Sequence, residues 1–428
     1  MSILIEHVLV GGKERDIYVD GNEIAAITEA GRGRAAAGGD AEVVIDGRHK
    51  AAIPGLFNGH THAAMTLLRG YADDMPLHAW LTTKIWPLEA KMTEEDVYWG
   101  TKLACLEMIK SGTTFFNDMY WYWAGSARAV AESGIRGMLS AVFIDGFDEA
   151  KAREQIARNE ALFRDWTSRS DRIMFALGPH ALYTVSEESL CWARDFSEQH
   201  DVLVHIHLSE TEREVEECHE RYGMRPMEFL NKIGFLSPRT IACHAVHLNN
   251  KEMALMKQHD VKLVHNPVSN MKLASGTLRF AELKAAGLYG NIALGTDGCA
   301  SNNNLDLFEE MKIASLVHKA FSGDPTLMSA EEAFRLATRN AAIVFRVNAG
   351  AIAVGKLADI ALLDLRQIAL VPNHQLISNI VYAAHGCCVD TVICDGRVLM
   401  EGRTVEGEAE IVERAQAVAR DLVDRAHD

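Results

Sequence analysis

The sequence predicts an α/β chain: a (β/α)8 barrel over residues 54–350, carrying a small β-sandwich built from both termini, residues 1–53 with 351–428. Three observations point there. Short strand-like runs punctuated by turns occupy both ends of the chain, apolar runs alternate with long amphipathic stretches through the middle, and no short-period repeat or low-complexity tract suggests a solenoid.

At the N-terminal end, residues 3–10, 15–19 and 23–27 read as strands of a meander, separated by Gly11-Gly12 and Asp20-Gly21-Asn22. Residues 31–39, rich in Gly and Ala, read as a surface loop, and strand character resumes at 42–45 and 50–53 around Asp46-Gly47. The far end echoes this at 358–365, 390–394 and 398–400, with a turn at Asp395-Gly396-Arg397. Such segments are too short for a stable sheet of their own, so the two ends are expected to pair with each other. Between them, runs at 113–117, 136–143, 173–177, 203–208, 240–243, 262–265 and 291–294 alternate with helical patterns. Roughly eight β/α alternations suit a barrel better than a doubly wound sheet.

Bulk properties exclude several classes of function. A chain of 428 residues, 48% hydrophobic, can bury a large core without staples. Its formal charge of −16 repels phosphate backbones and anionic lipid, so neither nucleic acid nor membrane is an expected partner. Residues 1–6 show no basic leader or cleavage pattern and no uncharged run reaches membrane-spanning length, so a soluble cytoplasmic protein is expected. The eight cysteines lack C-x-x-C or zinc-knuckle spacing and read as buried reduced thiols.

The chemistry sits at strand ends. Residues 55–62 read GLFNGHTH, in which His60 and His62, two apart on a strand, project from one face and can share a metal ion. Residues 203–208 end in His205-Ile206-His207, and alternation leaves either histidine available. His207 is nearer the C-terminal end, where barrel enzymes place their chemistry, and Glu210 follows in the loop. His244 ends a further apolar run, and Gly295-Thr296-Asp297-Gly298 places an acid between glycines at the end of a buried one. Each alone reads more readily as a hydrogen-bonded core histidine, a helix-capping Asp or a solvated Glu. Four strand ends in barrel order, each offering a metal-competent or acid–base group, do not read as coincidence.

Together with Pro54, the string through His62, His207-x-x-Glu210, His244 and Gly295-Thr296-Asp297-Gly298 resembles the amidohydrolase superfamily. Residues 65–74 (MTLLRGYADD), Asn266-Pro267-x-Ser269-Asn270 and Ser301-Asn302-Asn303 look like its 5-methylthioadenosine/S-adenosylhomocysteine deaminase branch. The resemblance implies a TIM barrel with a composite β-sandwich, one divalent ion (zinc before iron), a homo-oligomer and hydrolytic deamination of an adenine nucleoside. By that resemblance His60, His62, His207 and Asp297 hold the metal. Three neutral imidazoles and a carboxylate suit zinc or iron and leave a position for a water acidified towards ~7. Asp297 would then take the water's proton, Glu210 protonate a ring nitrogen and His244 steady the developing charge. The run 172–179 offers no lysine for a second metal, which favours a mononuclear site.

For the nucleoside, the resemblance points to Trp80, Glu89 and His180. A carboxylate at Glu89 can accept from both ribose hydroxyls, whereas Trp80 in its apolar stretch also reads as core packing. The branch's arginines for an amino-acid carboxylate are missing at the end of the third strand, where only Arg136, at its beginning, is basic. Adenosine or 5′-methylthioadenosine is therefore a safer expectation than S-adenosylhomocysteine, unless Arg69, Arg153 or another loop arginine reaches the site. The same superfamily resemblance leaves a triazine or guanine hydrolase, and remotely a non-catalytic binding barrel, as alternatives. The cluster Tyr120-Trp121-Tyr122-Trp123 reads equally as pocket lining, subunit contact or packing.

Overall fold

The computed structural model describes residues 1–39, 41–166 and 172–427. Five strands open the chain: β1 (Ser2–Val10), β2 (Lys13–Asp20), β3 (Glu23–Glu29), β4 (Val43–Asp46) and β5 (Lys50–Pro54). Eight follow in the middle: β6 (Leu56–Thr61), β7 (Thr113–Tyr120), β8 (Arg136–Phe143), β9 (Ile173–Pro179), β10 (Leu203–Leu208), β11 (Thr240–His244), β12 (Lys262–His265) and β13 (Ile292–Leu294). Three close it: β14 (Ile360–Asp364), β15 (Val389–Cys394) and β16 (Arg397–Met400).

Strands β6 to β13 pair in sequence order and in parallel, and helices fill most connections between them. β7, β8 and β10 are buried along their whole length, as expected of strands covered on both faces. The ring closes where Asp297 N donates to the His60 carbonyl oxygen at 2.9 Å. Gly295 permits that approach: a Cβ there would lie 2.7 Å from His60 N and 2.5 Å from Asn266 Oδ1. The bottom of the barrel is plugged by Phe57 stacked on Phe115, with ring centroids 4.8 Å apart, and by Phe345 beyond them. Capping boxes at Thr93/Asp96, Asn249/Glu252 and Ser329/Glu332 start three of the helices.

The terminal strands form one sheet in the order β16-β15-β14-β5-β1-β2-β3, with β4 also on β1. A bulge in β1 between Ile5 and Val8 re-aims the strand from β4 to β5. β14 pairs antiparallel with β5, which joins the two ends of the chain as their brevity requires. Residues 33–36 depart from the expected loop: Gly33 N donates to buried Asp16 Oδ2 at 2.8 Å, and the alanines that follow complete a helical turn. The last element, a helix over Glu408–His427, leaves the sheet and packs along the barrel helix Glu94–Lys110. All eight cysteines are free, Cys387 being exposed. Among the described residues no helix is long and apolar enough to cross a membrane.

Candidate active site

Polar groups converge at the C-terminal mouth of the barrel because four strand ends turn inward there. Ser209, His244, Ala245 and Asp297 all have left-handed φ, between 49° and 68°, at these ends. Such conformations cost energy in non-glycine residues and concentrate at functional sites.

His60 and His62 leave β6 on one face. His62 Nδ1–H donates to the Met119 carbonyl oxygen at 2.7 Å, and His207 Nδ1–H donates to the His180 carbonyl oxygen at 2.8 Å. Both rings thereby turn Nε2 to the centre, where the two nitrogens lie 3.2 Å apart. Asp297 Oδ1 lies 3.4 Å from His60 Nε2 and 3.3 Å from His62 Nε2, while its Oδ2 accepts from Ser269 Oγ at 2.6 Å. Burial keeps His207 neutral and holds His60 at about 4, so each keeps a lone pair at ordinary pH.

The donor set fits a divalent cation. His60 Nε2 is buried and has no hydrogen-bond partner. Ligand atoms of His60, His62 and Asp297 lie within 4.8 Å of one another, as do those of His60, His207 and His244. The other nitrogens of His62 and His207 are already fixed by hydrogen bonds, as is usual for histidine ligands. His205, the alternative on β10, lies one layer deeper. Its Nε2 is 2.9 Å from His60 Nδ1 and 2.8 Å from Cys243 Sγ, so it backs His60 rather than facing the mouth.

Glu210 and His244 flank this centre, 4.0 Å apart. Burial raises the pKa of Glu210, and Ser275 Oγ donates to its Oε1 at 3.1 Å. Burial works against a proton on His244, but Glu210 and Asp297 outweigh it and the net shift is upward. His244 Nδ1–H donates to Asn270 Oδ1 at 2.7 Å, which leaves Nε2 for the cleft. Glu214 props the Glu210 loop, its two oxygens accepting from Ser209 N at 2.7 Å and Glu210 N at 2.8 Å.

A cleft opens above these groups and is also lined by Trp80, Glu89 and His180. Trp80 is buried and its Nε1–H donates to the Ala72 carbonyl oxygen, so it is both wall and packing. Glu89 is half-buried, and Trp121 Nε1–H donates to its Oε2 at 3.4 Å. Burial raises the Glu89 pKa and lowers that of His180 to about 3. Tyr120 and Trp121 line the cleft, while Trp123 packs into the core beside Trp166 and Phe175. No lysine or arginine lines it among the described residues. Arg69 pairs with Glu107, Arg153 with Glu149 on the surface, and Arg136 with Asp395 and Asp359 at the opposite end of β8.

Sequence reasoning did not reach Trp86, Tyr183, Ser275 or Glu214. Asn270 and Ser269 stood in a recognised motif without an assigned role. Glu214 alone carried a local signal, as an acid three residues after Thr211, the helix N-cap.

The amidohydrolase family pattern matches residues 51–399. The 5′-deoxyadenosine deaminase of Methanoregula boonei is 51% identical, covering 99% of this chain and 96% of its own. The 5-methylthioadenosine/S-adenosylhomocysteine deaminase 1 of Archaeoglobus fulgidus is 47% identical, covering 96% of each. Among solved structures, an adenosine deaminase from Xanthomonas campestris with bound zinc superposes with a TM-score of 0.92 at 35% identity, covering 100% of this chain and 98% of its own.

Proposed function

The chain belongs to the amidohydrolase family, and from that premise we propose that it hydrolyses the exocyclic amino group of an adenine nucleoside, yielding the inosine product and ammonia. One observation carries the reading: His60, His62, His207 and Asp297 converge beside Glu210 and His244 at the floor of a cleft whose wall presents Glu89. A zinc or iron ion held by the first four would supply an acidified water and an electrophilic anchor.

Asp297 receives a proton from the water as its oxygen adds to C6 of the purine, while protonated Glu210 gives its proton to N1. His244, carrying Nε2 towards the cleft, steadies the charge that develops at the new C6 oxygen. Collapse of the tetrahedral adduct passes the Asp297 proton to the departing amine. The hydroxyl proton returns to Glu210 as the C6 carbonyl forms, so both acids end as they began. Burial raises the pKa of Glu210, the direction that a proton donor to N1 requires.

Glu89 accepts from the ribose hydroxyls, with Trp80 and His180 beside the nucleoside. Val142 and Ile144, at the mouth end of β8, line the same cleft and favour a small apolar 5′ end, while the nearest cations, Lys272 and Arg213, line the outer hollow that adjoins it past Leu77, Leu81 and Leu273. On that lining 5′-deoxyadenosine and 5′-methylthioadenosine are preferred; the relatives' names include both of these and S-adenosylhomocysteine, so the preference rests on the cleft and not on the names. Catalysis is assigned to the barrel, residues 54–350, with 1–53 and 351–428 as a composite terminal unit. A homo-oligomer in the cytoplasm completes the proposal.

The test is ammonia release with matching loss of adenine absorbance from metal-loaded protein. Adenosine, 5′-deoxyadenosine, 5′-methylthioadenosine, S-adenosylhomocysteine, guanine and melamine form the panel. Turnover of the nucleosides supports the reading and ranks the 5′ groups; turnover of free bases or triazines alone removes the roles given to Glu89, Trp80 and His180.

A further inference from the structure

The family match ends at residue 399, yet the helix Glu408–His427 that lies beyond it reaches back to the active-site rim. Its apolar positions Ala415, Val418, Ala419, Leu422 and Ala426 repeat at helical spacing and form one stripe. That stripe packs in the same cluster as Trp80, Ile85, Leu88 and Met92, the inner side of the segment that brings Trp80 and Glu89 to the cleft.

At the end of the stripe, Arg425 fastens the junction. Its Nη1 donates to the Lys91 carbonyl oxygen at 2.6 Å, two residues after Glu89, and its Nη2 reaches both carboxylate oxygens of Asp96 at 2.8 Å. Asp96 is 7% exposed and also accepts from Thr93 N and Thr93 Oγ1, closing the turn that ends the segment. On the other side, Tyr122 Oη donates to the Met92 carbonyl oxygen at 3.0 Å. Residues 91–93 are thus gripped between the barrel and the C-terminal helix, and the segment 77–89 hangs from that grip.

We infer that the C-terminal helix is a strut that sets the nucleoside-binding segment, with Arg425 as its positioning residue. The inference rests on the reading of Trp80 and Glu89 as nucleoside contacts. Arg425 touches no reacting group, so its loss acts on substrate affinity and not on the chemical step. A planar guanidinium that serves a carbonyl and a carboxylate at once is not replaced by an ammonium.

The experiment compares full-length, metal-loaded wild type with Arg425→Met and Arg425→Lys. It measures kcat and KM for the best nucleoside, metal content, and hydrogen–deuterium exchange across residues 77–92. Arg425→Met is expected to raise KM about tenfold with kcat within about twofold and metal content unchanged, Arg425→Lys falling between. Exchange should quicken in 77–92 and stay unchanged in the barrel strands. An unchanged KM in Arg425→Met, or unchanged exchange in 77–92, overturns the strut even if the melting temperature falls. A Glu89→Ala control separates the two readings: if it leaves KM unaltered while Arg425→Met raises it, the ribose role of Glu89 fails and the strut stands.

Discussion

His62 Nε2 and His207 Nε2 face one another at 3.2 Å, each ring having already committed its Nδ1–H to a main-chain carbonyl oxygen. With His60 Nε2 and Asp297 Oδ1 beside them, these nitrogens make a donor set that fits a divalent cation. Chelation is therefore expected to destabilise the protein and added zinc to restore it. A free ion at about a thousand times its Kd contributes about 4 kcal/mol. His207→Ala should lose both the metal, by elemental analysis, and the thermal response to chelator. A melting temperature indifferent to chelation in the wild type would remove the metal centre from the account.

Glu89 meets the cleft with one oxygen held by Trp121 Nε1–H at 3.4 Å. A charged acceptor for ribose hydroxyls is worth about 1.5–3 kcal/mol, so Glu89→Ala should raise KM for adenosine about 10- to 100-fold. The preference for adenosine over 2′-deoxyadenosine should shrink with it. Trp121→Phe, which removes only the N–H, should show a smaller change in the same direction. Paired kinetics on the two nucleosides decide it, since an undiminished preference in Glu89→Ala would detach the carboxylate from the ribose.

Much of this site is legible in the sequence because strand periodicity is short and local. His60 and His62 share a face by spacing alone, and His207, His244 and Asp297 are visible as polar endings of apolar runs. Alternation alone does not choose between His205 and His207, since both point inward; position along the strand does, His207 lying nearer the C-terminal end. That position is the depth of each layer, which register with β11 sets. Glu214 and Ser275 escape because each acts on Glu210 through a hydrogen bond whose partner is fixed by loop geometry. The C-terminal helix shows its apolar period at Ala415, Val418 and Leu422, but Arg425 and Asp96 stand 329 positions apart with nothing in either neighbourhood to name the other.

Glu214 gives a pH-dependent outcome. Burial raises its pKa from 4.5 to about 7, against the two backbone N–H donors that favour the anion. A raised folded-state pKa contributes stability that is complete below the unfolded value and lost as pH rises through the folded one. Relative to Glu214→Gln, the wild type should therefore lose about 3 kcal/mol between pH 4.5 and pH 7. Because the carboxylate orients Glu210, the variant should also lose about tenfold in kcat with metal retained. Denaturant midpoints of both proteins across that range test the first claim, and a constant gap between them would refute it.

Asp395 joins the two ends of the chain to the barrel floor. It lies in the turn after β15 and accepts from Arg136 Nη2 at 2.7 Å and Arg172 Nε at 2.9 Å, while its own N–H donates to Asp359 Oδ1 at 2.7 Å. Arg136 begins β8 and is only 5% exposed, so a guanidinium stripped of this partner would stay in a poorly hydrated place. Asp359, 3.6 Å from Arg136, would retain part of the compensation. Asp395→Asn should therefore cost about 2 kcal/mol, less than the 3–5 kcal/mol typical of breaking a fully buried pair. Burial pushes the Asp395 carboxyl up, but Arg172 and Arg136 outweigh it and the net shift is downward. A lowered folded-state pKa stabilises above the ordinary carboxylate value and loses that effect as pH falls through the folded one. The gap in denaturant midpoint between wild type and Asp395→Asn should accordingly be full at pH 7 and narrow below about pH 4. Metal content and KM should not move, because the pair lies at the far end of the barrel from Asp297. A variant as stable as wild type at pH 7 would mean that the β5–β14 pairing holds the terminal sheet in place without this cluster.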